Sequence, residues 1–286
     1  MVSSIKMKNV DYCYSDNNKI LHGISIDIKE GEIFGLLGPS GAGKTTIVKL
    51  LTGQLEARGD QIEVFGKNIE KLDKNFYSNI GMVMEQFGVY ERLTCFENLK
   101  IMSRIHNISV IQIQDVLTKV GLKDAMNKEA CKLSTGMKQR LMIARAILHS
   151  PRILFLDEPT RGLDPKTAGD IHDLLLDLKK EGVTIFLTTH NMVEAEKLCD
   201  KIALLYNGNI VEYGTIESIK TKYYVEKNVR IIDDYEKEHI YRQQQDKAQI
   251  IELLNTNSNY IMHTMEPTLE EIFIRITGRG LNNEKE

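Results

Sequence analysis

Ile24, Ile26 and Ile28 alternate with Ser25 and Asp27, the period-two spacing of a strand with one buried face. Residues 5 to 37 read as strands and a turn, with Glu30-Gly31 as the break before the apolar run Ile33 to Leu37, a buried strand. After Gly43 the period becomes helical: Ile47, Leu50 and Leu51 share a face, and Gly53 closes the helix. From about 87 to 150 the chain turns mainly helical, and Thr94 with Glu97 forms a capping-box pattern just before Asn98 to Ile105. Two short apolar runs, Ile153 to Leu156 and Ile185 to Leu187, flank a helix in which Leu174, Leu175 and Leu178 recur at helical spacing. Strands alternating with helices predict an α/β fold, a mostly parallel sheet covered on both faces, with an antiparallel β portion at the N-terminus.

Beyond about 220 the texture changes. Tyr223-Tyr224-Val225 and Val229 to Ile232 read as strands, and a polar Gln243-Gln244-Gln245 stretch follows. The last element is a helix: Thr268 and Glu271 make a capping box, Leu269, Ile272, Phe273 and Ile276 make an apolar stripe, and Gly278 is the stop. The organisation expected is residues 1–220 as one domain with a helical subdomain near 87–150, and 221–286 as a small C-terminal α/β extension. No internal repeat is visible.

Composition narrows the picture. With 42% apolar residues in 286, the chain can bury a substantial core. Charged residues make up 27% but the net charge is only −3, so there is no global basic field to attract nucleic acid. No run approaches the roughly 18 to 20 apolar residues that span a bilayer. The opening Met-Val-Ser-Ser-Ile-Lys lacks a secretory apolar region. The chain is therefore expected on the cytoplasmic side, with any membrane association local. Cys13, Cys95, Cys131 and Cys199 are scattered, as suits reduced structural thiols.

Chemistry enters with Gly38-Pro39-Ser40-Gly41-Ala42-Gly43-Lys44-Thr45, followed by Thr46. This matches G-x-x-x-x-G-K-[ST] and lies between a predicted strand and a predicted helix, the context that the motif requires. Its glycines let backbone N–H groups converge on phosphate oxygens, and the helix N-terminus adds its positive dipole end. Lys44 is placed to reach the β and γ phosphates of ATP and the Thr45 hydroxyl to bind Mg²⁺. An accidental glycine-rich turn is the bland alternative, at odds on the order of one in a hundred for a chain this long.

Ile153 to Leu156 ends in Asp157-Glu158. Asp157 at a strand end can hold Mg²⁺, largely through water, because that cation wants oxygen ligands and keeps part of its hydration shell. Glu158 then faces the γ-phosphate, where a carboxylate can act as general base toward water. Taken alone, two carboxylates at a strand end are usually a solvated strand end; the upstream glycine loop is what changes the reading.

Leu133-Ser134-Thr135-Gly136-Met137-Lys138-Gln139-Arg140 resembles the signature motif of the ABC transporter nucleotide-binding family. Ser134 and the Gly136 amide at a helix start can hold a phosphate, although Ser134 is also an ordinary N-cap. The resemblance runs from about Val10 to Gly214 and implies the remaining parts. Gln86 resembles the glutamine that touches Mg²⁺ and water, and Asp164 in Gly162-Leu163-Asp164-Pro165 resembles the loop across the dimer interface. His190 resembles the histidine that contacts γ-phosphate, and Tyr14 stands where an aromatic stacks on adenine, with Tyr12 a near alternative. Two departures stand out: Thr135 and Met137 occupy positions usually held by glycine and glutamine. This form, and the ending Glu266-Pro-Thr-Leu-Glu-Glu-Ile-Phe-Ile-Arg, resembles bacterial drug-resistance, bacteriocin-immunity and sodium-extrusion exporters.

What the resemblance implies is an ATP-hydrolysing subunit that pairs with a second nucleotide-binding subunit, identical or not, and with a separate membrane permease. Ser134 and Gly136 would then act on ATP held by the other chain. The rivals are a soluble ABC ATPase of translation or DNA-repair type and a P-loop kinase. A single cassette with only about 90 residues between glycine loop and signature disfavours the first, and the Leu-Ser-Thr-Gly element disfavours the second.

Overall fold

The computed structural model describes residues 2–15, 18–56, 62–71, 74–84, 88–224, 228–233, 237–242, 245–256 and 260–278. The chain divides into two units, Met1–Tyr213 and Gly214–Lys285.

In the first unit, β1 (Ser3–Ser15) and β2 (Asn18–Lys29) pair antiparallel, with Met7 opposite Ile26 and Val10 opposite Ile24. The alternating isoleucines of β2 all point into the core, as their period demands. β3 (Ile33–Leu37) is buried on both faces, and α1 (Lys44–Leu51) follows. β4 (Ile62–Val64) and β5 (Lys67–Asn68) complete a four-stranded sheet in the order β2-β1-β4-β5. A single turn, α2 (Lys74–Tyr77), precedes β6 (Ile80–Val83).

Three helices then form the helical part: α3 (Cys95–His106), α4 (Val110–Lys119) and α5 (Thr135–Ile147). The sequence marks each start. Thr94 and Glu97 make a reciprocal capping box, and Ser109 and Ser134 accept from the backbone N–H three residues on. The chain continues through β7 (Ile153–Asp157), α6 (Pro165–Lys180), β8 (Thr184–Thr189), α7 (Met192–Leu198), β9 (Lys201–Tyr206) and β10 (Asn209–Gly214).

The central sheet has the order β10-β9-β3-β8-β7-β6, and the pairs from β9 through β6 are parallel. One apolar cluster joins Ile5, Ile24 and Ile62 of the antiparallel sheet to Ile47 and Leu50 of α1 and to Phe34, Phe155 and Phe186 of the parallel strands. Each fully buried side chain of this size contributes about 1.5–3 kcal/mol, so the glycine loop is anchored from beneath. Parallel registry has a functional consequence: Leu37 is level with Thr189, and Asp157 with Thr188. The carboxyl ends of β3, β8 and β7 therefore open on one edge, where ligands of open α/β sheets bind.

The second unit contains α8 (Ile216–Tyr223), β11 (Asn228–Ile232), β12 (Glu238–Arg242), α9 (Lys247–Thr256), β13 (Ile261–Met265) and α10 (Leu269–Thr277). Its sheet runs β12-β11-β13, all antiparallel, and Val229 and Ile231 pack with Ile250 of α9. Tyr223 does not start a strand; it ends α8, which Thr215 caps and whose last turn carries Lys220 and Lys222 against the helix dipole. α10 begins at the Thr268–Glu271 capping box, stops at left-handed Gly278 and lies against α8. For that reason the division falls before α8 rather than near residue 220. Leu269, Ile272 and Phe273 are buried, whereas Ile276 is half-buried.

Candidate functional site

The glycine loop leaves β3 at a point where only glycine fits: a Cβ on Gly38 would lie 2.3 Å from the Leu205 carbonyl oxygen. Gly43 takes φ 112°, and a Cβ there would meet Leu21 at 2.7 Å. No side chain caps α1 and its first turn carries no acid, so the positive end of its dipole and its first N–H groups face the loop. That is an anion-binding terminus.

Lys44 is 9% exposed and its Nζ donates to the carbonyls of Gly38 (2.6 Å) and Pro39 (3.3 Å). Burial holds this ammonium below its ordinary value, while the Glu158 and Asp157 carboxylates pull the other way. The loop forms one wall of a cleft of about 400 Å³ lined by Tyr14, Pro39, Ser40, Gly41, Gly43, Lys44, Thr45, Thr46, Asp157 and Glu158. Gly38 and Ala42 are buried and do not line it.

On the opposite wall, the Thr188 hydroxyl donates to Asp157 Oδ1, across the β7–β8 registry. Glu158 has left-handed backbone, φ 50°, at a cost of about 1–2 kcal/mol for a residue with a Cβ. Its N–H donates to the Thr188 carbonyl at 3.0 Å. Its side chain meets two partners: Oε2 is 2.9 Å from His190 Nδ1 and Oε1 is 3.9 Å from Lys44 Nζ. Thus Lys44, Thr45, Asp157, Glu158 and His190 are brought together by three neighbouring strand ends.

Of Tyr14 and Tyr12, Tyr14 is the one that lines the cleft. It is 54% exposed, with its hydroxyl 3.2 Å from Thr46 Oγ1 and its ring edge-on to Tyr12 at 5.1 Å. Gln86 lies outside the described residues. Two lining residues carry no sequence signal of their own, Ile20 of β2 and Arg161. Arg161 is there because the turn after β7 folds back, its N–H donating to the Glu158 carbonyl at 3.2 Å.

Ser134, Gly136 and Asp164 do not line this cleft. Ser134 Oγ accepts from Met137 N–H at 3.3 Å, and Asp164 Oδ1 accepts from Lys166 and Thr167 N–H at 3.1 and 3.0 Å. Hydrogen bonds from Thr167, side chain then backbone, hold the Asp164 carboxyl below its ordinary value. A Cβ on Gly136 would lie 2.2 Å from Thr167 Cγ2, so the glycine lets α5 and α6 approach. In this chain, then, the Ser134 and Asp164 side chains are the N-caps of α5 and α6.

The donor set also suits a divalent cation. Among the described residues no cluster of three metal-ligating side chains occurs, but Mg²⁺ on a nucleotide needs only one or two protein oxygens beside phosphate and water, and Thr45 and Asp157 both line the cleft.

Comparison with known proteins agrees with this geometry. Residues 21–161 match the ABC transporter family model. The chain is 36% identical over 269 residues to a fluoroquinolones export ATP-binding protein of Mycobacterium tuberculosis, covering 91% of this chain and 88% of that protein. It is 35% identical over 304 residues to the bacitracin transport ATP-binding protein BcrA of Bacillus licheniformis, covering 98% and 99%. Among solved structures, cbiO1 of Clostridium perfringens, part of the ABC transporter complex cbiONQ, superposes with a TM-score of 0.70 at 27% identity, covering 79% of this chain and 93% of that one. With a glycine loop, two strand-end carboxylates and relatives matched over nearly their whole length, the chain belongs to the ATP-binding subunits of ABC transporters and is an ATPase.

Proposed function

We propose that this subunit powers export through a separate membrane permease, at the cytoplasmic face of the membrane, by closing against a second cassette over two ATP molecules. The observation that carries this reading is the split between Lys44, Thr45, Asp157 and Glu158 around one cleft and Ser134 and Gly136 at another helix start. A second cassette supplies the missing half.

In this reading the loop N–H groups and Lys44 bind the β and γ phosphates, and Tyr14 stacks on the adenine. Thr45 and Asp157 would hold Mg²⁺, with Gln86 as the further ligand that the family resemblance implies, and the cation would supply neutralisation of the phosphate charge. Glu158 takes a proton from the attacking water, and His190 orients Glu158 and contacts the γ-phosphate. Ser134, Gly136 and the Asp164 loop meet the partner's nucleotide. Chemistry of this kind is positioning and electrostatics. Export as the direction is supported by the names of the relatives, a fluoroquinolones exporter and bacitracin and lantibiotic transport proteins. Among the described residues no helix is long and apolar enough to cross a membrane, in keeping with a separate permease.

Light scattering tests the pairing. Glu158→Gln with ATP and Mg²⁺ should move the purified chain from monomer to dimer. A monomer at saturating nucleotide contradicts closure between identical chains.

A further inference from the structure

Glu194, on α7, is a carboxylate only 2% exposed, and it does not line the nucleotide cleft. Three segments converge on it. Oε1 accepts from the Thr160 hydroxyl at 2.6 Å and lies 3.3 Å from His172 Nε2 of α6; Oε2 accepts from the Thr189 hydroxyl at 2.8 Å. Thr189 Oγ1 in turn accepts from Asn191 N–H at 3.0 Å, and Asn191 Oδ1 accepts from Glu194 N–H at 3.1 Å. Both neighbours of His190 are thereby held. Thr160 stands two residues beyond Glu158, in the turn that sets its direction.

Burial pushes the Glu194 carboxyl up, but the hydrogen bonds from His172, Thr160 and Thr189 outweigh it and hold the group below its ordinary value. An apolar residue of similar volume would fill the same space without desolvating a charge, so packing does not account for a carboxylate here. Accepting from two hydroxyls and an imidazole on three separate segments is what a carboxylate adds.

We propose that Glu194 is a positioning residue for hydrolysis, tying the Thr160 and Thr189 segments together so that Glu158 and His190 meet. This rests on reading Glu158 and His190 as the hydrolytic pair. Loosening the tie shifts both groups while the glycine loop, which Glu194 does not touch, keeps its grip on nucleotide.

The test is kcat, KM and ATP affinity for the full-length chain as wild type, Glu194→Leu, Glu194→Ala, Glu194→Gln and Glu158→Gln. Leucine fills the site without accepting a hydrogen bond, and glutamine still offers one oxygen to a hydroxyl and an N–H to the other. Glu194→Leu and Glu194→Ala should lose ~10- to 100-fold in kcat with KM and ATP affinity within about twofold of wild type, whereas Glu194→Gln should stay within about threefold of wild-type kcat. A Glu194→Leu variant with wild-type kcat overturns the proposal. So does loss of ATP binding in step with kcat in all three Glu194 variants, which would make the group a structural one. Near-normal turnover by Glu158→Gln, by contrast, overturns the reading of Glu158, whatever the Glu194 variants do.

Discussion

Glu158 Oε2 lies 2.9 Å from His190 Nδ1, although the two residues belong to different strand ends. Two features bring them together: β7 and β8 are parallel neighbours in registry, and the left-handed backbone of Glu158 turns its side chain toward β8. The same carboxylate has its other oxygen 3.9 Å from Lys44 Nζ. One acid is therefore held between the cation of the glycine loop and the imidazole after β8, with one edge of the cleft for a phosphate.

Lys44→Ala should weaken ATP binding ~10- to 100-fold, the equivalent of the roughly 1.5–3 kcal/mol of a charge-assisted hydrogen bond. Isothermal titration measures it. Unchanged affinity would count against Lys44 as a phosphate ligand.

Gly136→Ala should destabilise the first unit by about 1–3 kcal/mol, since its Cβ would sit 2.2 Å from Thr167 Cγ2. Thr167→Ser removes that methyl group and keeps the hydroxyl, so the double variant should recover part of the loss in chemical denaturation. A double variant no better than Gly136→Ala would show that another contact is responsible.

Stability should depend on pH through Glu194. Its folded pKa is lowered, so its contribution is fully present above the unfolded value near 4.5 and is lost as pH falls through the lower folded value. Denaturation midpoints of the wild type should drop more steeply below about pH 4.5 than those of Glu194→Gln. Parallel pH profiles would contradict the linkage.

Residues 214–285 should be dispensable for nucleotide binding, because every cleft residue precedes them. A chain ending at Gly214 should bind ATP like the full chain, while assembly with the membrane partner or coupled ATPase activity should fall. The cut belongs before α8, since α8 lies against α10. Loss of ATP binding by a folded truncated chain contradicts this division of labour.

What could be read from the sequence was local. Both capping boxes, the Gly53 and Gly278 stops and the apolar strands reflect signals within a few residues. Tyr223 was misleading because its aromatic neighbours suggest a strand, while the helix signal comes from Thr215. The α9 helix is hidden similarly: Ile250, Leu253 and Leu254 have helical spacing, but the polar glutamine stretch before them offers no capping signal. Strand order is non-local, so nothing in the sequence pairs Thr188 with Asp157 or brings Thr160, His172 and Thr189 onto Glu194.

The assignment of Glu158 as the group that drives hydrolysis is tested most directly by ATP affinity and steady-state turnover of Glu158→Gln, measured on the same preparation. The amide keeps the size of the side chain but cannot take the proton of the attacking water. Affinity within about twofold of wild type, with turnover lowered ~10²- to 10⁴-fold, is the result expected. Turnover close to wild type would contradict it.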